Sequence, residues 1–566
     1  MIGGLWWERW PGRWEAERKA LESAGIKWER DEAAFEKGEF LILRLHFPWH
    51  GNVIVLKVIF PPEYPYFRPE VFAQPGTFTR HQNPIGGNLC LLARSTQNWN
   101  PEWTLAELLN SQFPLLARAA TTKDRLERET IEEPLGEPVT TFLPYALGGM
   151  ILVDSSKRVD PKHNAGKLMI CLDSDAMPTV QGAVADVRAQ NGEILFSFDV
   201  FSGYRNKIPA SWVRLAEVPF DKIDPREFEK ELRAKKILPP PNFTHQIAGW
   251  FIDVVGLLVP EELQQGEIGD GWIFLVRVKK SKTQEFRTDL VRAGRAGRFD
   301  FNTRIPSLAF LNAKHVAIVG LGSIGAPVAL ELARSGAGKL SLIDYDFVEA
   351  GSVVRWPLGK SAFGVQKTHA IDHFVSRNYP FTKIETVEYR FGVPNAPNSS
   401  VALERSLFSS DLIIDATAEV GIHQFLSDYA RENKKPFVYG YLTTGGYGGL
   451  VACFDPSKKM GCWYCLQMAL LDEKTIPEPP FAENADVQPV GCAERTSIFP
   501  GFDAKEISLQ VVRTAVSALS DGSDKQYPKA SWDVAIAKLS SQVGGHAPPS
   551  WNTYAINHNP QCRVCK

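Results

Sequence analysis

No charge of one sign dominates this chain: 63 Lys and Arg stand against 65 Asp and Glu, a formal net charge of -2. That balance argues against a bulk field for holding nucleic acid or an anionic membrane. No uninterrupted apolar stretch is long enough to span a bilayer. The first ten residues lack the apolar run of a secretory signal, so the expected location is cytoplasmic. Cysteine is scarce, 8 in 566 residues, which excludes a disulfide scaffold and turns any cysteine cluster toward metal or catalysis. No internal repeat or low-complexity segment stands out, which excludes a solenoid. What remains is soluble globular composition, 44% hydrophobic and 23% charged, with length for about three or four domains.

One local pattern organises the rest. Val316–Val319 reads as a short buried strand, Ile324–Arg334 as a helix, and Gly320-Leu-Gly322-Ser323-Ile-Gly325 joins them. Glycines at 320, 322 and 325 permit a tight turn and let a phosphate approach the N–H groups at the helix start. A second apolar run, Leu340–Ile343, ends in Asp344, 24 residues after Gly320 and placed to hydrogen-bond ribose hydroxyls. Strand, turn, helix, strand and acid in that order favour a nucleotide site over tight packing alone. Further runs at 410–415, ending in Asp415, and at Lys435–Gly440 predict a largely parallel, doubly wound sheet. Gly320, Asp344 and Asp415 then converge at the carboxyl ends of strands, where such sheets bind ligands.

Two C-x-x-C pairs, Cys462/Cys465 and Cys562/Cys565, supply the four thiolates of a closed tetrahedral Zn²⁺ site; redox or packing cysteines are the alternative. Cys492 lies between the pairs among small and polar residues, which suggests an exposed loop. Arg495 is close enough in sequence to lower its pKa, and a bystander cysteine is the other reading. Cys453 and Cys171 lie in apolar runs and read as core.

Toward the N-terminus, a helix at 14–25 precedes alternating runs at Phe40–Phe47, Asn52–Phe60 and Glu70–Phe72, which predict a small antiparallel meander. His81-Gln82-Asn83 and Gly86-Gly-Asn-Leu-Cys90-Leu follow, then a helix from Ala106 to Leu116. Cys90 sits in a Gly/Asn-rich loop, and its thiolate is a strong nucleophile whose thioester is an activated acyl donor. The competing reading is a buried cysteine between Leu89 and Leu91. Residues 131–300 predict a mixed α/β spacer with strands at 165–172, 192–200 and 271–278 and a helix at 224–236 capped by Asp224, with no chemistry of its own. The arginine-rich run 287–298 reads as a flexible, solvated linker. Arg304 is a cation within reach of a triphosphate, with nothing in the sequence to place it.

Two resemblances extend this reading. Phe-Pro-Pro-Glu-Tyr-Pro, His-x-Asn, Gly-x-Leu-Cys-Leu and Trp-x-Pro-x-Trp-Thr-Leu in the first 120 residues resemble the ubiquitin-conjugating enzyme fold. The resemblance implies that Cys90 carries a ubiquitin-like protein as a thioester. It also implies that Asn83 supports the active-site loop or the oxyanion, and that His81 is structural; Gln82 replaces that family's usual proline. The glycine turn, Asp344-x-Asp346, Arg355, Gly-x-x-Lys367, the strand end at Asp415 and the paired C-x-x-C are similar to the activating-enzyme superfamily, which adenylates the C-terminal carboxylate of a small protein. This second resemblance implies ATP, Mg²⁺ and Zn²⁺, with Asp344 on the ribose, Arg355 and Lys367 on the phosphates, and Cys492 as first acyl acceptor. The sequence departs from that family at Ser352, in place of its asparagine, and at Ala418, in place of its metal-binding aspartate, with Glu419 next and Asp415 the preferred Mg²⁺ ligand.

The resulting expectation is a multidomain α/β chain: 1–130 conjugating-like, 131–300 linker, and 301–566 adenylation domain with a zinc site. Both modules on one chain resemble the fused activating–conjugating enzymes of bacterial antiphage operons of the CBASS type. That resemblance implies a protein donor with a flexible C-terminal tail (a nucleotidyltransferase or a ubiquitin-like protein), a lysine acceptor on a target protein, a homodimer, and neither membrane nor nucleic acid as partner. The alternatives are the same chemistry on a dedicated ubiquitin-like protein, sulfur-carrier activation with a non-catalytic N-terminal domain, and a nucleotide-sensing adaptor.

Overall fold

A computed structural model describes residues 5–36, 40–91, 98–122, 124–131, 135–200, 204–218, 224–281, 285–394, 396–472, 475–489, 495–540 and 548–565. The chain divides into two compact units, Met1–Phe198 with Arg205–Arg295, and Asp199–Tyr204 with Ala296–Lys566.

The first unit opens with a four-stranded antiparallel sheet, Lys27–Arg30, Leu41–Trp49, Asn52–Phe60 and Glu70–Phe72, in chain order. Leu41, Leu43, Leu45 and Phe47 alternate onto one buried face, as a half-covered strand requires. Helices Pro11–Ser23 and Leu105–Thr121 supply the cover, with Leu21 and Phe113 in the same core as Phe60. The second helix starts at a capping box: Glu107 N donates to Thr104 Oγ1 at 3.3 Å, and Thr104 N donates to Glu107 Oε2 at 2.7 Å. Glu17, fully buried, links the two helices by accepting from Leu105 N at 2.8 Å, and it also accepts from the Tyr64 hydroxyl.

The rest of this unit is a nine-stranded sheet. Its longest pair is the hairpin Trp250–Gln264 and Glu267–Lys279. Between 140 and 295 the described residues hold one α-helix, Pro225–Ala234, so the expected mixed spacer is mostly sheet. Asp224 Oδ1 caps that helix by accepting from Arg226 N and Glu227 N, as the sequence predicts. Phe228 and Leu232 anchor it against Leu275 and Leu290 of the sheet. Arg277, fully buried, lies 2.8 Å from Glu229 of the helix and 2.7 Å from Asp253 of the neighbouring strand. The arginine-rich run is not a solvated linker. Arg287–Arg295 is a strand in this sheet with Leu290 and Val291 buried. Its charges are absorbed locally, Arg287 by Asp289 at 2.7 Å and Arg295 by Glu261 at 2.7 Å, so the apolar positions decide the structure.

The second unit contains an eight-stranded sheet. Lys383–Val387, Lys339–Ile343, His315–Val319, Leu412–Asp415 and Phe437–Leu442 are parallel neighbours in that order. Gly448–Phe454, Val534–Lys538 and Ser550–Tyr554 extend the sheet antiparallel, so only its first five strands follow the parallel expectation. One face packs on Gly325–Arg334, Lys367–Asn378 and Gly501–Leu519, the other on Pro397–Ser409, Val420–Glu432 and Trp463–Asp472. Such two-sided burial produces continuous apolar strands such as His315–Val319. Among the described residues no helix is long and apolar enough to cross a membrane.

A pH dependence follows from the sheet edge. Burial alone would raise the carboxyl of Glu385. Hydrogen bonds from Lys339 Nζ at 2.6 Å, Arg405 Nη2 at 2.8 Å and Ser341 Oγ at 3.1 Å outweigh it and bring the pKa down to about 2. A depressed carboxylate stabilises the fold above its unfolded pKa and loses that contribution as pH falls toward the folded value. Discounted for the exposed Arg405 partner, the contribution is about 1–2 kcal/mol. Glu385→Gln is therefore expected to lower the melting temperature at pH 7 and to lose the difference from wild type between pH 4.5 and about 2. Melting curves across that range check it.

Candidate functional site

Three neighbouring parallel strands end at one level. Val319 lies in register with Ile343 on one side and with Asp415 on the other. The residues that follow, Gly320, Asp344 and Ala416, form the upper rim of the sheet. Gly320 N donates to Ile343 O at 2.9 Å, and Ala416 N donates to Val319 O at 2.9 Å. Gly320 has φ +84°, and a Cβ there would lie 2.9 Å from Thr417 Cγ2. A Cβ on Gly325 would stand 1.8 Å from Gly320 O, so the helix start presses directly on the turn. Gly322 faces open space. The helix Gly325–Arg334 has no side-chain cap at Ile324; Ala326 N donates to Gly322 O at 3.2 Å and Pro327 carries no N–H, so the Gly325 N–H is what the first turn offers an anion.

Asp344 closes this turn. Its Oδ2 accepts from Leu321 N at 2.7 Å and its Oδ1 from Asp346 N at 2.9 Å. Trp356, nearly buried and absent from the sequence reading, holds the other side of Leu321 by donating Nε1–H to Leu321 O at 2.8 Å. Asp346 pairs with Lys367, Nζ to Oδ2 at 2.5 Å, and accepts Lys367 N at its carbonyl at 2.9 Å. Lys367 thereby starts the helix Lys367–Asn378 beside the turn.

Arg355 is committed elsewhere. It donates to Ser497 O at 2.6 Å and to the Thr496 hydroxyl, and its guanidinium lies 4.7 Å from the Phe499 ring. Burial draws its pKa below the ordinary arginine value. Thr496–Ser497 pair antiparallel with Asp486–Val487, so Arg355 grips one strand of that pair. Cys492 itself lies outside the described residues. Arg495, expected beside that thiol, pairs with Asp486 at 3.3 Å.

Asp415 does not suit an open Mg²⁺ ligand. It is fully buried. Its Oδ1 accepts from Thr417 N at 3.0 Å and Thr417 Oγ1 at 2.8 Å, and its Oδ2 faces His423 Nδ1 at 2.7 Å. His423, 3% exposed and packed edge-on against Tyr439 at 4.4 Å, completes a strut under the rim. Nothing in the spacing of Asp415 and His423 announced this pair, because the helix that returns His423 is set by packing. Ala418 adopts φ +57° and offers no ligand, and Glu419 lies exposed at the start of Val420–Glu432.

The four cysteines meet. Sγ separations are 3.9 Å for Cys462–Cys465, 3.6 Å for Cys462–Cys562, 3.4 Å for Cys465–Cys565 and 3.6 Å for Cys562–Cys565, with all four atoms within 4.8 Å of one another. Disulfides need sulfurs about 2 Å apart, whereas thiolates around Zn²⁺ at about 2.3 Å stand about 3.8 Å apart. Asn559 N and Val564 N donate to Cys465 Sγ and Cys562 Sγ at 3.3 and 3.4 Å. The donor set fits a closed structural zinc site tying the chain's last turn to the helix Trp463–Asp472.

In the first unit Cys90 is exposed while Leu89 and Leu91 are buried, which removes the buried-cysteine reading. Asn83 Oδ1 accepts from Ile85 N at 2.9 Å and Gly86 N at 3.0 Å, so its side chain shapes the loop. Gln82, in the place of a proline, accepts from Phe78 N at 2.9 Å and donates to Gln74 O at 2.8 Å. Its amide thus provides the rigidity that a proline ring supplies by other means. Cys453 is partly buried against the core and its thiol is pushed up to about 12 by burial, and burial also raises Cys171.

Residues 302–521 match the ThiF family. Along nearly its whole length the chain is similar to the uncharacterized protein y4qC of Sinorhizobium fredii (strain NBRC 101917 / NGR234), 31% identical over 583 residues that span 96% of this chain and 95% of y4qC. It is also similar to the adenylyltransferase and sulfurtransferase MOCS3 of Dictyostelium discoideum, 29% identical over 170 residues, 30% of this chain and 35% of that protein. The ATP-dependent ubiquitin transferase-like protein Cap2 of Enterobacter hormaechei subsp. hoffmannii (strain UCI 50) is 27% identical over 157 residues, 28% of this chain and 24% of its own length.

Proposed function

The chain belongs to the same family as y4qC and carries a ThiF-family adenylation domain over residues 302–521, and on that premise we propose that it activates a protein C-terminus with ATP and passes the acyl group through Cys492 and Cys90 to a lysine. The observation that carries the first step is the Asp344 carboxylate bonded to the Leu321 N–H of the glycine turn, beside an uncapped helix start. That arrangement suits a triphosphate on the turn and a ribose on the remaining lone pairs of Asp344. ThiF adenylation enzymes use ATP with Mg²⁺. Asp415 is too buried to serve as an open Mg²⁺ ligand, so no step is assigned to it. Lys367, paired with Asp346 two residues past Asp344, is the cation assigned to balance charge that develops on phosphate oxygens when a carboxylate attacks the α-phosphate.

The second half of the proposal rests on the first unit. An exposed Cys90 in a loop braced by Asn83, over an antiparallel meander covered by two helices, supports a ubiquitin-conjugating-like role for residues 1–130. Residues 131–300 then form the linker and 301–566 the adenylation domain. The relative named as an ATP-dependent ubiquitin transferase-like protein favours a protein donor with a flexible tail, either a nucleotidyltransferase of a CBASS-type operon or a ubiquitin-like protein. Cytoplasmic location and a homodimer complete the reading. One chain carrying both modules raises the effective concentration of the handover. The match to MOCS3, named as an adenylyltransferase and sulfurtransferase, favours sulfur-carrier activation as the second reading.

ATP–pyrophosphate exchange is the deciding measurement, with a small protein encoded beside this chain as donor. Exchange is expected with the intact donor and not after its last residues are removed. A reducible adduct that appears on wild type and vanishes in Cys90→Ala supports conjugation, whereas activity unchanged in Cys90→Ala favours sulfur transfer. Absence of exchange with every neighbouring donor, despite ATP binding, overturns the adenylation reading.

A further inference from the structure

The loop before Cys90 is built on residues far from it in sequence. A single antiparallel bridge joins Gln82 to Leu89. It is flanked by Asn83 N donating to Asn88 O at 2.9 Å and Cys90 N donating to His81 O at 2.8 Å. In a continued ladder the His81 N–H would point toward the Cys90 strand. Instead His81 has φ +58° and donates its N–H to Glu137 Oε1 at 2.6 Å. His81 Nδ1 lies 3.3 Å from the same oxygen. A non-glycine residue in that backbone region persists only where its surroundings hold it.

The surroundings are the middle sheet. Arg80 donates to Glu262 Oε2 at 2.7 Å and to Leu135 O at 3.3 Å, and the Arg80 and Glu262 side chains are only 12% and 13% exposed. Glu262 also accepts from Glu137 N at 3.2 Å and from Gly266 N at 2.6 Å. The hairpin Trp250–Lys279 bulges between Glu262 and Gln264. Residues 135–137 lie directly on that bulge, because a Cβ on Gly136 would stand 2.7 Å from the Leu263 carbonyl carbon. Ile85, two residues past Asn83, packs against the core of the middle sheet. Three attachments, at Arg80, His81 and Ile85, therefore converge on one loop, and the Gly136 contact seats the segment that carries Glu137.

We propose that residues 135–137 and the tip of the hairpin Trp250–Lys279 are part of the Cys90 site, with Glu137 the positioning residue that holds His81 and the Cys90 backbone in reacting geometry. The proposal rests on Cys90 being the acyl-carrying thiol. In the step concerned, an amine nitrogen attacks the thioester carbonyl. The C–N bond forms, the C–S bond breaks, the Cys90 thiolate leaves, and the amine's surplus proton passes to solvent. The loop sets how the thioester is presented, and small displacements of reacting atoms are costly. The middle sheet, which the sequence presents as a spacer, thereby controls the reactivity of the N-terminal thiol.

The test uses the full chain and a small peptide thioester, which loads Cys90 by thiol exchange without ATP. The adduct is followed by mass spectrometry with Cys90→Ala as control, and its discharge to free lysine is timed. Glu137→Ala is expected to slow discharge about tenfold. Glu137→Gln, whose side-chain oxygen still accepts the His81 N–H, is expected to stay within about twofold of wild type. Amide exchange across 80–90 should quicken in Glu137→Ala and not in Glu137→Gln, with exchange in strands 41–60 unchanged. A loaded Glu137→Ala chain that discharges at the wild-type rate overturns the proposal while sparing the assignment of Cys90. A wild-type chain that forms no Cys90 adduct removes that assignment and this proposal together.

Discussion

Asp344→Ala is expected to weaken ATP binding at least ~100-fold. The carboxylate holds two backbone donors, Leu321 N at 2.7 Å and Asp346 N at 2.9 Å. Hydrogen bonds to a charged group are worth about 1.5–3 kcal/mol each. Losing both frees the turn between Gly320 and Gly325 and releases Asp346, the partner of Lys367. The same substitution also removes the acceptor proposed for the ribose. A combined loss of about 3 kcal/mol corresponds to roughly two orders of magnitude. Asp344→Asn is expected to fall between, because its amide oxygen can keep one backbone donor while its NH₂ opposes the other. Titration calorimetry of the full chain with ATP measures both variants without a donor protein. Wild-type affinity in Asp344→Ala would sink the placement of the nucleotide on this rim. The fold itself should survive, since Gly320 N remains bonded to Ile343 O and Trp356 to Leu321 O.

The second large effect concerns the cysteine cluster. Purified protein is expected to contain one zinc per chain by elemental analysis. Cys562→Ser, or prolonged chelation, is expected to lower the melting temperature by more than about 10 °C, since structural zinc contributes on the order of 10 kcal/mol to small zinc-dependent folds. The end of the chain is what depends on it. Ser550–Tyr554 is the edge strand of the sheet, and the segment after it returns through Ile556, whose carbonyl accepts from Gly461 N at 2.7 Å, to Cys562 and Cys565. Without the metal the four thiols lose their common centre, and the edge strand is left with a single neighbour, Val534–Lys538. Substoichiometric metal combined with chelator-insensitive melting would leave a packing role for the cysteines.

How far the sequence reached depends on the range of the interactions involved. The parallel strands, the glycine turn, Asp344 and the helix cap at Asp224 are local features. A fully buried strand, a turn that needs small residues and an N-cap each leave a pattern within a few residues. The run Arg287–Arg295 misled because its arginines dominate the composition, whereas Leu290 and Val291 decide its burial once neighbouring strands are present. Asp415 looked like a ligand because it ends a strand. The packing of the helix Val420–Glu432 turned it toward His423 instead, and that orientation has no sequence signature.

By itself, then, the sequence determined the parallel strands of the ThiF-family domain, the glycine turn between strand and helix, the meeting of two C-x-x-C motifs and the loop position of Cys90. Each is written in spacing that short-range sterics and hydrophobic burial enforce. Only the tertiary structure decided that Arg355 grips the strand Thr496–Ser497, that Asp415 is a buried strut, and that Arg80 and His81 are held by Glu262 and Glu137. Those three outcomes join residues between 8 and 182 positions apart. A hydrogen bond between such residues depends on where whole elements pack, and no local pattern encodes that.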